Sequence, residues 1–212
     1  ALKKDNLKAR LAYSTVSQLS YIILGAALAN GLGIIAGGMH IAMHAFGKIT
    51  LFFCAGAILV AAHKTEISEM DGLGRVMPFT FSAFFIGSLS VIGLPPMGGS
   101  WSKWYLILSS AEAGHLIFIV VLMVSSLLNV AYLMPVVGRG FFLQGKNDHS
   151  EHKEKIDKTR KDFWGGISVG EIREAPPFCL FAIAITCLGC ILLFFYADSI
   201  YRFLLPITGI QS

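Results

Sequence analysis

The chain has 212 residues, a formal net charge of +4, 55% hydrophobic side chains and only 14% charged ones, with a mean hydropathy of +0.67. Soluble domains carry nearer a quarter charged residues, and the basic residues here flank apolar runs, which excludes a soluble enzyme and a nucleic-acid-binding domain. The apolar runs are also too long and too weakly alternating for barrel strands. The expected class is an all-α integral membrane protein with five crossings, each helix needing about 20 apolar residues.

The N-terminus starts with Ala1 and carries Lys3, Lys4, Asp5 and Lys8 within its first eight residues. It has no secretory signal pattern, and the missing initiator Met predicts a fragment or a processed chain. The first crossing is expected from about Leu11 to Asn30. Ser14, Ser17, Gln18 and Tyr21 follow i, i+3, i+4, i+7 along it and form a polar stripe. Such a stripe suits either polar helix–helix packing or a water-lined path. Lys8 and Arg10 at its start fit snorkelling anchors.

The second crossing, Ile34 to Ala62, holds 29 residues and one formally charged side chain, Lys48. That lysine lies roughly 20 Å from either helix end at about 1.5 Å rise per residue, too far to snorkel. Facing lipid would cost about 2.5–3.5 kcal/mol, so its place is inside a bundle, against water or polar partners. Burial disfavours the charged form of an amine in general, which makes a fixed charge one that can be gained and lost. His40, His44 and Lys48 stand at i, i+4 and i+8 on one face, about 6 Å apart along the axis. That spacing is too long for direct hydrogen bonds and short enough for bridging water. Three titratable groups in register point to proton exchange over a chance set of core histidines.

The third crossing, from Met77-Pro78 to about Ala113, is too long for one straight span. Near its midpoint stands Gly93-Leu94-Pro95-Pro96-Met97-Gly98-Gly99. The prolines lack N–H donors and the glycines admit unusual backbone geometry, so Gly93, Pro95, Pro96, Gly98 and Gly99 are the expected hinge of a discontinuous helix. Irregular backbone at that depth is tolerated only inside protein or along a hydrated cavity, and such breaks recur at transporter ion sites. Lys103 follows the break. It either snorkels beside Trp101, Trp104 and Tyr105 or faces inward. The outer end is roughly 15 Å away, which strains snorkelling and favours the inward reading.

The fourth crossing runs from about His115 to Gly138, and the fifth from Pro176-Pro177 to about Tyr196. Pro78, Pro176 and Pro177 suit first-turn positions, where a missing N–H costs little. Between these crossings, Gln144 to Glu174 is the soluble-looking stretch, with both charge signs dense from His149 to Asp162. It reads as a solvated, partly helical connection, with a docking surface for a neighbouring protein of the assembly as the lesser reading. Cys187-Leu188-Gly189-Cys190 matches C-x-x-C, but inside a membrane helix it reads as two small apolar side chains. Nothing resembles a nucleophile–base pair, a phosphate loop or a metal cluster, so no catalytic residue, metal or cofactor is expected. With five crossings, the N-terminus and the loops 63–76 and 139–176 hold every basic residue outside the membrane except Arg202. That asymmetry places the N-terminus in the cytoplasm and the C-terminus outside.

Three motifs carry a resemblance. Leu7 to Gln18, the set His40, His44, Ala45, Phe46, Lys48 with Leu51-Phe52, and Gly93 to Lys103 together resemble the antiporter-like subunits of respiratory complex I and of Mrp-type cation/proton antiporters. The resemblance covers roughly residues 5–142. It implies two inverted repeats, each with a broken helix and a half-channel, joined by a hydrophilic axis. On that basis residues 1–142 are the later helices of the second repeat, 143–175 a cytoplasmic connecting loop, and 176–212 the final helix with a short outer tail. The first repeat would be missing, and the expected partners are other membrane subunits including that half. Lys8 resembles the axis lysine, His40, His44 and Lys48 the relay, and Lys103 the terminal lysine of the broken helix. The segment Leu94 to Tyr105 is most similar to the D-type antiporter proteins of Mrp complexes, which implies a multisubunit Na+/H+ antiporter in the inner cell membrane. The alternative is a proton-pumping subunit of an NADH:quinone oxidoreductase or related redox complex, the sense in which the chain would count as part of an enzyme. A non-conducting structural subunit is the third reading. Asn6, where several relatives have an acid, and Ser100-Trp101 before the lysine depart from the pattern.

Overall fold

A computed structural model describes residues 1–143, 168–169 and 172–208. The described residues are almost wholly helical, as the apolar composition requires. The exception is a short antiparallel pair, β1 (Ser168–Val169) with β2 (Ile172–Arg173). The charge-dense stretch 149–162 lies outside the described residues.

Helix α1 spans Leu7–Ala27. Asn6 starts it: its side chain accepts from the Ala9 N–H at 3.0 Å, an N-cap that satisfies one orphan donor. Its amide also donates to Glu66 Oε1 at 3.0 Å, so an amide suits this position better than an acid. Leu7 N donates to Thr65 O, and Ile67 N to Asp5 O, which ties the chain start to the loop after α2. Helix α2 spans Gly31–Ala62 and begins on the Asn30 N-cap, so Asn30 opens the second helix; the first ends at Ala27. At about 1.5 Å per residue, its 32 residues reach roughly 48 Å.

The third apolar run is two helices after a one-turn α3 (Leu73–Val76). Helix α4 covers Pro78–Ile92 and α5 covers Gly99–Glu112. Pro78 stands in the first turn of α4, as its missing N–H allows. Gly93 ends the helix at φ +86°, a left-handed conformation that favours glycine. Helix α6 spans Leu116–Phe142, α7 Pro177–Phe195, and a short α8 follows at Ala197–Leu204.

Helices α2, α6 and α7 are long and apolar enough to cross a membrane. Helix α1 has 21 residues but a polar face. Helices α4 and α5, with 15 and 14 residues, reach roughly 21–22 Å each, short of the hydrocarbon core of about 30 Å.

Helix α2 is the central element, packed against α1, α4, α5 and α7. Small residues set how closely α4 approaches: Gly47 faces Ser90 and Val91, and Gly87 faces Thr50 and Leu51. The main apolar core joins Leu51 and Ile58 of α2, Phe81 and Phe84 of α4, Leu133 and Val136 of α6, and Ile183 of α7. The outer faces of α6 and α7 expose Leu116, Val120, Val124, Leu127, Phe181 and Leu188, a surface fit for lipid. Helix α8 lies against α2 and α5. Leu204 approaches Gly38, and Tyr201 stacks on Tyr105 at 5.2 Å.

Candidate functional site

The polar interior follows from helices α1, α2, α5 and α6 turning their few hydrophilic residues inward. Lys48 is 5% exposed. Its amine donates to Ser14 Oγ at 2.6 Å and to the Leu11 carbonyl at 3.2 Å, both on α1. The Ser14 and Tyr132 hydroxyls lie 2.5 Å apart, and Tyr132 donates to Asn129 Oδ1 at 2.5 Å. A charged amine has donors only, so the bonds run in one direction, from Lys48 through Ser14 and Tyr132 to Asn129.

One and two turns N-terminal of Lys48, the His44 and His40 rings stack at 5.6 Å, as i, i+4 neighbours do. His40 Nδ1 is 2.9 Å from Ser102 Oγ on α5, and its ring meets the Tyr21 ring edge-on at 5.3 Å. Both histidines are buried.

Lys103 occupies the break and is 7% exposed. Helix α4 stops at Ile92, so its last carbonyls have no further turn to serve. The Lys103 amine takes two of them, Ile92 O at 2.7 Å and Val91 O at 3.2 Å, and also donates to Ser126 Oγ at 3.2 Å. A cation at a helix C-terminus also meets the negative end of the helix dipole. The amine sits 5.2 Å over the Tyr21 ring, whose hydroxyl donates to Ser125 at 2.6 Å. Gly93 makes room as well as turning the chain, because a Cβ there would lie 2.8 Å from Lys103 Cδ. Gly99 lets α5 pass the Ser90 carbonyl, and the Gly98 N–H donates to Cys190 O at 3.2 Å, tying the break to α7. Pro95 and Pro96, joined by a cis peptide, lie exposed in the turn.

Among the described residues, Gln18, His40 Nε2, both His44 nitrogens, Ser88, Ser90, Trp101 Nε1 and Asn129 Nδ2 are buried without a protein partner. In folded proteins, buried polar groups without a protein partner are commonly met by ordered water.

The structure therefore brings together Ser14, Gln18, Tyr21, His40, His44, Lys48 and Lys103. Ser17 and Lys8 do not join them: both are exposed on this chain. For Ser17 the reason is angular. At 100° per residue it lies 60° from Ser14 on the side away from Gln18, outside the arc that α2 covers. Sequence reasoning missed the α6 residues Ser125, Ser126, Asn129 and Tyr132. Their signal was available as polar positions i, i+1, i+4 and i+7 in an otherwise apolar run. It also missed Asn30 with Ser109, which exchange hydrogen bonds of 2.5 and 3.0 Å between the α1–α2 turn and α5.

Residues 1–129 match the family described as NADH:quinone oxidoreductase/Mrp antiporter, transmembrane. The chain belongs to this family. One relative is subunit N of the NADH-quinone oxidoreductase of Desulforudis audaxviator, 41% identical over 141 residues. The match covers 66% of this chain and 28% of that one, so the chain spans well under half the length of this relative. Two solved structures share the fold. The Mrp complex from Dietzia sp. DQ12-45-1b has a TM-score of 0.75 at 22% identity, covering 96% of this chain and 42% of that one. Respiratory complex I from Thermus thermophilus with bound NADH has a TM-score of 0.76 at 18% identity, covering 98% and 39%. These relatives are subunits of larger membrane assemblies, and the family places this chain in a membrane as a multi-pass protein. The family match takes in both lysines, both histidines and Asn129, and stops short of Tyr132.

Proposed function

We propose that this chain carries protons along a relay of buried side chains and water between Lys48 and Lys103, as one half of a proton path in a multisubunit complex. The observation that carries the reading is the pair of buried amines, each held by backbone carbonyls and hydroxyls, with His40 and His44 between them. Imidazoles and amines both take up and release protons, and hydroxyls and water pass them on. Charge on one amine raises the cost of charge on the next, which couples their protonation. Lys8, exposed at the start of α1, is assigned to the neighbouring segment of the hydrophilic axis. Gln18 and Tyr21 line the path, and Gly93, Pro95, Pro96, Gly98 and Gly99 form the hinge. Helices α4 and α5 together make the third of five crossings, with the N-terminus cytoplasmic and the C-terminus outside. Residues 1–142 are the later helices of a repeat, 143–175 the connection and 176–212 the last helix with its tail.

The Leu94–Tyr105 run favours an Mrp-type complex in the inner cell membrane, in which inward protons drive Na+ outward. The second reading is a redox-driven proton pump, favoured by the 41% identity to a quinone oxidoreductase subunit. The test is proton movement into vesicles holding the purified complex, followed by a pH-sensitive dye. Lys48→Ala and Lys103→Ala, at normal complex level, are expected to lower it at least a hundredfold. Unchanged transport in both would leave a scaffolding role. Proton movement driven by a Na+ gradient alone marks the antiporter; a requirement for an electron donor and quinone marks the redox pump.

A further inference from the structure

The half-helix α4 is held at its two ends by opposite charges that come from far apart in the sequence. At its C-terminus, Lys103 takes the carbonyls of Val91 and Ile92. At its N-terminus, the Glu174 carboxylate, 4% exposed, accepts from Phe79 N at 2.7 Å, Thr80 N at 3.4 Å and Thr80 Oγ1 at 2.6 Å. Pro78 has no N–H and Met77 offers no side-chain cap, so Glu174 supplies the cap of this helix from 94 and 95 residues away. Both charges stand at the favourable ends of the helix dipole.

We propose that Glu174 is a positioning residue for Lys103: it pins the N-terminal end of a 15-residue rod whose other end presents the carbonyls on which the amine rests. The rod is roughly 22 Å long. Where it crosses α2 the two backbones approach closely, Gly47 facing Ser90 and Gly87 facing Leu51, so a shift of α4 at its N-terminal end is carried along the rod to the break. A slide by one residue's rise, about 1.5 Å, carries the 2.7 Å bond to Ile92 O beyond hydrogen-bond reach. Glu174 is thus how the segment after the long connection sets the geometry of the break. The proposal rests on the proton-relay reading for its effect on transport, and on geometry alone for its effect on α4.

The experiment uses the intact complex in nanodiscs for hydrogen exchange and in vesicles for transport, with Glu174→Ala, Glu174→Gln, Thr80→Val and Lys103→Ala. Glu174→Ala is expected to speed exchange of the Gly93 and Leu94 amides, at the far end of α4, at least fivefold and to lower transport about tenfold. Glu174→Gln keeps an acceptor oxygen and is expected to restore both to within about threefold of the parent. Faster exchange confined to Phe79 and Thr80, with transport unchanged, overturns the proposal, because Glu174 is then a local cap. If Glu174→Ala does not assemble, Thr80→Val decides: it removes one bond, and no change at the far end overturns the proposal. Normal transport in Lys103→Ala would refute the relay reading alone, and the exchange at Gly93 and Leu94 would still judge the pinning.

Discussion

Ser14 and Ser17 are the same residue type on the same helix, and the structure gives them opposite roles. Ser14 is fully buried, and its hydroxyl is the closest partner of the Lys48 amine, at 2.6 Å. Ser17 is exposed. Ser14→Ala removes one hydrogen bond to a charged group and leaves Lys48 with the Leu11 carbonyl at 3.2 Å. It also leaves Tyr132 with Asn129 as its side-chain partner. A hydrogen bond to a charged group contributes about 1.5–3 kcal/mol. At about 1.4 kcal/mol per factor of ten, transport is expected to fall roughly ten- to hundredfold if that energy is expressed in the rate-limiting proton step. Ser17→Ala is expected to change it less than twofold. Initial rates of dye quenching in vesicles, divided by the amount of assembled complex, measure both. Ser14→Ala at parental rate would refute the claim that the Lys48 amine works through its α1 partners. A larger effect from Ser17 than from Ser14 would mean that the functional face of α1 is the other one.

Three further outcomes follow from local geometry. A methyl at Gly99 would collide with the Ser90 carbonyl, whereas nothing lies within 4 Å of a methyl at Gly56. Gly99→Ala is therefore expected to destabilise the complex by about 2 kcal/mol or more, and Gly56→Ala to be neutral or stabilising by up to about 1 kcal/mol, both read from thermal melting. His40→Phe replaces the imidazole by a larger apolar ring and loses the 2.9 Å contact with Ser102, so transport per assembled complex should fall about tenfold in the vesicle assay. Asp71→Asn breaks a partly exposed pair with Arg139 and should cost less than about 1 kcal/mol in the thermal melts.

The parts of the fold that are legible in the sequence are those set by one helix at a time. Length and hydropathy locate the long helices α2, α6 and α7, and the prolines at 78 and 177 mark first turns. The His40, His44 and Lys48 register follows from the helical period alone. What escapes is whatever depends on a neighbour. Ser14, Gln18 and Tyr21 lie within a 60° arc that α2 and α6 cover, and Ser17 falls outside it although the pattern i, i+3, i+4, i+7 includes it. Tyr132 and Asn129 matter only because α6 lies against Ser14. Glu174 looks like one more charge at the end of a charged loop until its distant partners Phe79 and Thr80 are known. Helix α8 is too short, at eight residues, to stand out from a tail.

The choice of partners for the two amines bears on why lysine serves here. Among the described residues no carboxylate lies within ion-pair distance of Lys48 or Lys103. Their acceptors are carbonyls and hydroxyls. A carboxylate partner would fix the charge, because removing the proton would strand a buried anion, at a cost of several kcal/mol. Neutral dipoles hold the ammonium form without that consequence, since a carbonyl or hydroxyl left behind by a departing proton needs only a new hydrogen bond. The C-terminal end of α4 adds a fixed partial charge that is always present, of order half an elementary charge. The break in the third apolar run frees the carbonyls on which the buried amine rests, and in the proposed relay such neutral partners are what let that amine lose its proton. A carboxylate built near Lys103, as in Ser126→Asp, is expected to improve the local charge balance and yet slow transport about tenfold. Faster transport in that variant, in the same vesicle assay, would show that the amine needs a counter-ion and that dipoles alone do not suffice.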